Sequence, residues 1–241
     1  MGIQSDAIEK VLELAPPSLN ILDGVTYSDR ELYPIEAPLV SKFDVSTLGG
    51  LVDLLTAGVE GFLPDDYVLQ VVDEQSVRVI HRISDKHGRR EILVHADALS
   101  GLQKFTFNQY TSQEAFLIGV AAGFEPTDDR EYLISIASTI DQKEKVNLAD
   151  DGISQAVVVS KGIAMKQDTT LRNRLTLAPY RTFREVAQPA SEFIFRAREG
   201  GQLALFEADG GAWKITAIHA VAEWLKNNLA GAGLGELPII S

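Results

Sequence analysis

The stretch from about residue 212 to 229 restricts the fold most. At helical spacing, Ile218, Val221, Ala222, Leu225 and Leu229 form one apolar stripe. Trp213, Ala217, Ala220 and Trp224 form a second beside it. A helix that is apolar over so wide an arc has to be covered on more than one side. The cover has to come from runs with a different period. Tyr67–Asp73, Gln75–Ile83 and Arg89–Ala96 are β-rich and separated by turn residues, as are 153–160, 171–178, 192–198 and 202–208. Two shorter helices stand between these groups. Thr111-Ser112-Gln113-Glu114 matches a capping box opening 112–123, and Asp128 with Glu131 opens 129–141. The pattern predicts an α+β fold. Its antiparallel sheet is built largely from 153–208, with the helix 212–229 packed on it.

The first half adds two features. Residues 5–15 carry Ile8, Val11, Leu12 and Ala15 on one helical side, and Pro16-Pro17 ends that helix. From there to about Asp44 the chain has four prolines and no sustained period, which predicts an extended arm. Ser46 is the expected N-cap of a helix running to about Glu60. Alternation along 76–83 puts Arg78, Ile80 and Arg82 on one face and Val77, Val79, His81 and Ile83 on the other. The hairpin 76–96 is therefore half apolar and half basic, and is expected to project. After the last helix, 230–235 reads as a flexible linker to the apolar tip Leu237-Pro238-Ile239-Ile240. The expected division is 1–45, helix and arm, followed by a single domain over 46–241.

Charge is segregated along the chain. The net charge is −12, yet residues 172–198 hold six arginines against two acids, and 76–92 hold five bases against two acids. A net negative field repels phosphate and disfavours bulk binding to nucleic acid. With no cysteine there is no disulfide, thiol nucleophile or thiolate metal site, which fits a reducing compartment. Residues 2–6 lack the basic flank and apolar run of a secretory signal, and the longest small or apolar run, Ala115 to Phe124, is half a membrane span. The expectation is a cytoplasmic protein without membrane association.

The arginines are the best functional candidates. Arg172/Arg174 and Arg196/Arg198 are i, i+2 pairs, each facing one side of its strand, and paired guanidiniums grip phosphate or carboxylate bidentately. Between them lie Tyr180, Arg181, Phe183 and Arg184, whose aromatic rings can stack on a base. The competing reading is a solvated sheet face bridged to acids. Three Asp-Asp pairs (65–66, 128–129, 150–151) stand where turns or helix starts are expected, so capping accounts for them better than a cation does. Glu207 and Asp209 ahead of Lys214 loosely echo metal-dependent nucleases, but Ala212 stands where the acid is needed, and Asp209-Gly210-Gly211 is more simply a turn. His81 and His95 are placed to face each other across the hairpin as a weak zinc pair. No nucleophile elbow, Walker loop or dinucleotide fingerprint appears, so nothing recommends an enzyme and no cofactor is implied.

Four segments of the second half carry a likeness: Asp151-Gly152-Ile153-Ser154-Gln155, Leu177 to Val186, Gln188-Pro189-Ala190-Ser191, and Leu205 to Lys214. Over about residues 150–240 the chain resembles an uncharacterised group of tailed-phage and prophage proteins. The resemblance implies a viral origin and expression in the cytoplasm of an infected or lysogenic bacterium. It carries over no catalytic residue.

The expected function is that of a non-enzymatic, self-assembling binding protein. It would hold a nucleotide, another phosphorylated ligand or a host factor, and so counter host defence. Charge segregation and apolar ends argue for a homo-oligomer, as a shell or ring. The alternatives are a virion structural or capsid-like shell protein and an accessory factor of phage DNA metabolism.

Overall fold

The computed structural model describes residues 10, 14–22, 25–29, 41–59, 62–82, 90–98, 105–140, 148–150, 155–157, 172, 174–198 and 200–241. The chain divides into two compact units, Met1–Val40 and Ser41–Ser241. In the first, β1 (Leu19–Leu22) and β2 (Val25–Ser28) form an antiparallel hairpin with Leu19 opposite Ser28. Asp29 closes it by accepting the Ser18 N–H at 3.0 Å. The proline-bearing stretch expected to be an arm thus contains a hairpin, and Leu19, Ile21, Leu22 and Tyr27 are exposed on it. The helix expected over 5–15 lies largely outside the described residues.

The second unit is α+β, with antiparallel sheets and a long C-terminal helix. Its larger sheet has the order β13-β4-β5-β6-β3. Here β4 (Tyr67–Asp73), β5 (Ser76–His81) and β6 (Ile92–Asp97) make an antiparallel meander. Outside them, β3 (Phe43–Val45) pairs parallel with β6, and β13 (Ile239–Ile240) pairs parallel with β4. The basic hairpin therefore does not project; β5 is the middle strand. Its alternation holds all the same. Val77 and Val79 are buried, while Arg78 on the other face donates to Gln70 at 3.0 Å. Arg82 and Arg90 donate to main-chain carbonyls of Asp65, His81 and Arg82.

The apolar face of this sheet, with Leu69, Val71, Val77, Val79, Val94 and Ala96, is covered by α1 (Leu48–Thr56) and α4 (Trp213–Gly231). Both arcs of α4 find partners, because α4 packs on β4, α1 and β13. The cap of α1 is Thr47, not Ser46. Its Oγ1 accepts from Gly50 N at 3.0 Å, and a Cβ at position 50 would stand 2.9 Å from that oxygen, so the cap requires glycine there.

The four-stranded sheet, β10 (Arg174–Leu177), β11 (Ser191–Arg198), β12 (Gln202–Glu207) and β7 (Thr111–Ser112), is antiparallel in the order β10-β11-β12-β7. Its core side is covered by α2 (Gln113–Gly123) and α3 (Asp128–Thr139), through Phe116, Val120, Leu133 and Ala137 against Phe193, Phe195 and Leu205. The expectation that the last helix packs on this sheet is corrected: α4 covers the other one. Two caps also move by one residue. Ser112, the last residue of β7, caps α2 by accepting from Ala115 N, and Thr127 caps α3 by accepting from Arg130 N. A further pair, β8 (Leu148–Asp150) and β9 (Gln155–Val157), forms its own ladder outside the four-stranded sheet.

The C-terminal segment is not a free tail. Gly233, at φ +79°, ends α4 in a Schellman motif. In that motif Leu234 N donates to Leu229 O at 2.8 Å and Gly233 N to Ala230 O at 3.2 Å. The chain then returns to the sheet, burying Leu237 and giving the Pro238 carbonyl to Leu69 N at 2.9 Å. Deleting 236–241 is therefore expected to destabilise the fold by about 2–3 kcal/mol, the value of one buried leucine plus the strand bonds. A thermal melt would read this as a lower Tm, and an unchanged Tm would contradict the placement of β13.

Candidate functional site

The loop 178–190 leaves β10 and crosses to the larger sheet, and its conformation is fixed by one buried amide. Gln188 Oε1 accepts from Arg181 N (3.0 Å) and Thr182 N (3.3 Å), while its Nε2 donates to the carbonyls of Phe183 (2.9 Å) and Val186 (3.2 Å). Such a satisfied amide suits a buried turn. Thr182 donates to the Glu74 carbonyl, Gln75 to the Arg181 carbonyl, and Glu185 accepts from Gly49 N in the first turn of α1. On the other side Tyr180 N donates to Gly123 O at 2.8 Å. Pinned from both sides, the loop puts Phe183 and Val186 into the core beneath α1 and α4.

Arg181 is the centre of what results. Only 6% exposed, its guanidinium meets Glu207 Oε1 at 2.9 Å, donates to Ser191 Oγ, and lies 3.7 Å from the centre of the Trp213 ring. Its Nε is buried without a partner among the described residues. Burial pulls its pKa down to about 10, and the carboxylates of Glu207, Asp209 and Glu74 oppose that fall, so the group stays cationic at neutral pH. Trp213 is held by the turn before α4. Asp209 accepts from Gly211 N (3.1 Å) and Trp213 N (3.3 Å) across Gly210 and Gly211, both at positive φ. Asp209→Ala is expected to cost about 1 kcal/mol of stability as a lost helix cap, checked by denaturant unfolding.

These groups border a cleft of about 430 Å³. Phe105, Phe107 and Pro179 give it an apolar wall, and Arg181, Arg184 and Lys214 with Glu74 and Glu207 give it charge. Glu207 is committed to Arg181, and Glu74 accepts from Lys214 Nζ at 2.9 Å. Arg184 is different. It is exposed, 3.4 Å from the centre of the Tyr180 ring, with no carboxylate within salt-bridge distance among the described residues. Of the three cations that line the cleft, Arg184 is the one without a carboxylate partner among the described residues.

The eight arginine and aromatic residues singled out in the sequence do not form one site. Tyr180, Arg181 and Arg184 meet in the cleft. Phe183 is corrected from stacking platform to core, being 1% exposed. Arg174, Arg196 and Arg198 share the face of the four-stranded sheet away from α2 and α3, since Arg174 lies opposite Ile194. There Arg174 pairs with Glu192 at 3.4 Å, and Arg198 lies over Tyr110 and donates to Gln202. Arg196 Nη1 is buried without a partner. Arg172 does not act with Arg174; it precedes β10 and pairs with Asp129 of α3 at 3.3 Å, over the ring of Tyr132. Glu74, Phe105, Phe107 and Trp213 join this cleft without any signal in the sequence, because they converge with Glu207 and Lys214 from three distant segments, 74, 105–107 and 207–214.

The remaining candidates settle as structure. His81 packs edge-on to Tyr67, on the opposite face from His95, so the pair cannot share a ligand. Among the described residues no three His, Asp or Glu side chains gather as metal ligands would. His95 does complete a row with the order of a nucleophilic triad: Ser76 Oγ to Nε2 at 3.1 Å, Nδ1 to Asp44 Oδ1 at 3.2 Å. In a working triad the acid is buried and belongs to the imidazole alone. Asp44 is 63% exposed and its oxygen is taken by Lys42, which lowers its pKa and also reaches His95 Nδ1 at 3.3 Å. The row is a cross-strand polar ladder on an open sheet face.

Among the described residues no helix is long and apolar enough to cross a membrane. No protein-family model, no curated protein and no solved structure matches this chain.

Proposed function

We propose that this chain is a non-enzymatic binding protein that holds a small anionic ligand, phosphorylated or carboxylated, in the cleft around Arg181 and Arg184. The observation that carries this reading is the charge arrangement of the cleft. Arg181 is buried and oriented by Glu207, Ser191 and Trp213, whereas Arg184 stacks on Tyr180 with no carboxylate partner among the described residues. A guanidinium on an aromatic face beside a hollow is a ready partner for phosphate or carboxylate oxygens. Among the described residues, the acids at and beside the cleft (Glu74, Glu207 and Asp209) are engaged in ion pairs or in the turn before α4, an arrangement suited to holding a ligand. The resemblance of 150–240 to prophage proteins supports a setting in an infected bacterium, where sequestering a phosphorylated compound would blunt a host response.

The test is titration calorimetry with adenosine monophosphate and butyl phosphate. Arg184→Ala is expected to weaken binding about tenfold or more while leaving Tm unchanged, since the side chain is exposed. Recovery of the nucleotide intact is expected as well. Absence of binding by either compound up to about 1 mM would contradict the reading.

A second reading, self-assembly into a shell or ring, is favoured by one observation: the four large apolar side chains exposed on the 19–28 hairpin. Mass photometry of the full chain and of a deletion of 1–40 tests it. A particle that loses subunits on deletion supports assembly through the hairpin, and a monomer in both cases rejects it.

A further inference from the structure

We infer that the ligand of this cleft is an amphipathic anion, with its charged head at Arg181 and Arg184 and an apolar tail lying along the outer face of α2. The inference rests on the reading of the cleft as an anion site and adds the second half of the ligand.

A second hollow of about 320 Å³ adjoins the first, and Phe105, Ala122 and Gly123 line both. Beyond that common wall none of the described residues that line it is charged; Ala115 and Gly119 of α2 form its floor, with Ile118, Thr106 and Thr111 beside them. The trough exists because α2 presents small side chains there. A Cβ at Gly119 would stand 2.8 Å from Phe105 Cδ2, so glycine is what lets that ring lie on the helix. Phe105 is held in turn by Phe107, Phe116 and Phe124, at ring distances of 4.9, 5.8 and 5.0 Å, and makes a fixed ridge between the hollows. Ile118 at the rim is 58% exposed, a large apolar side chain left to water on a helix whose other face is buried.

Small residues on a helix do not make a site by themselves. The second observation is the adjoining cleft, where Arg181, more than nine-tenths buried, keeps its Nε without a partner among the described residues and Arg184 stands exposed over Tyr180. The open cation Arg184 in the cleft and the apolar trough next to it suit a molecule with an anionic head and an apolar tail. A compact polar anion such as inorganic phosphate would leave the trough empty. Each methylene buried in it is expected to raise affinity about fourfold.

The experiment compares butyl phosphate, octyl phosphate and adenosine monophosphate by calorimetry on the full chain. Octyl phosphate is expected to bind at least about thirtyfold tighter than butyl phosphate, allowing for partial burial of the four added methylenes. Ala115→Phe, which fills the trough from an exposed position, should remove that gain and leave butyl phosphate unaffected. Ile118→Glu, also at an exposed position, should do the same through charge, so a folding defect in one variant does not decide the matter. Arg184→Ala should weaken both alkyl phosphates by a common factor. Equal affinities for the two chain lengths, an octyl advantage that survives both trough variants, or tighter binding of adenosine monophosphate than of octyl phosphate would overturn the tail while leaving the anion site standing. If none of the three binds, the anion site itself is wrong.

Discussion

Truncating Phe183 to alanine is expected to cost about 3–5 kcal/mol and to lower Tm by roughly 6–20 °C, with no change in ligand affinity of the molecules that remain folded. The size of the effect follows from position. Phe183 is 1% exposed and sits in the cluster shared by α1, α4 and the five-stranded sheet, at the far end of a loop whose backbone Gln188 holds rigid. That loop cannot collapse into the space a removed ring would leave, so the lost transfer energy and the cavity add. Tyr180, three residues earlier, should behave in the opposite way. It lines the cleft under Arg184, so Tyr180→Ala should weaken ligand binding and leave the melt nearly unmoved. Differential scanning calorimetry on the two variants separates the roles, and a Phe183→Ala protein melting within a degree of the parent would contradict the placement.

The second large effect concerns Arg181 and Glu207. Removing the carboxylate by Glu207→Ala leaves a buried guanidinium with Ser191, the Trp213 ring and only the more distant carboxylates of Asp209 and Glu74, at an expected cost of about 2–3 kcal/mol. The figure stands below that of a fully enclosed pair because a third of the Glu207 side chain still meets water. The informative quantity is the coupling. Arg181→Met removes the charge and keeps the length, so in the Glu207→Ala background it should restore part of the loss. A double-mutant cycle by denaturant unfolding should then return an interaction of at least about 1 kcal/mol. Strict additivity would mean that the ion pair does not hold the wall of the cleft.

What was legible in the sequence was local. Strands at 67–73 and 192–198 announced themselves because one face of each is more buried than the other, the strand at 202–208 because Leu203, Ala204 and Leu205 form a continuous buried apolar run, and both arcs of the last helix were apolar because both pack against the core. Caps fell one residue from their expected places wherever two candidates stood side by side. Thr47 is the cap of α1, with Gly50 leaving room at its hydroxyl, and Ser112 is the cap of α2 because the strand runs through Thr111 and Ser112 and the helix starts only at Gln113. Partnership was not legible. An apolar stripe does not say which sheet will cover it, and the tail 237–240 carries nothing that names β4 as its neighbour. The same holds for the arginines. Arg196 and Arg198 share a face as strand spacing requires. Arg172, just before its strand, is instead turned towards Asp129. Within Tyr180-Arg181-Thr182-Phe183-Arg184, the four candidates separate into cleft wall, buried ion pair, core and open cation, with Thr182 between them as a loop anchor. That division is set by the side chain of Gln188 and by the Glu74 carbonyl, contacts across the fold that no local pattern announces.

An anion gripped where Arg184 stands over Tyr180 would lie in the cleft that Trp213 also lines. Trp213 lies in the wall of the cleft and is one of two tryptophans, so a Trp224→Phe background makes it the sole reporter. Titrating octyl phosphate into that protein should change Trp213 fluorescence saturably, and Arg184→Ala should move the midpoint to at least about tenfold higher concentration. A fluorescence trace that stays flat, or a midpoint indifferent to Arg184, would contradict the account.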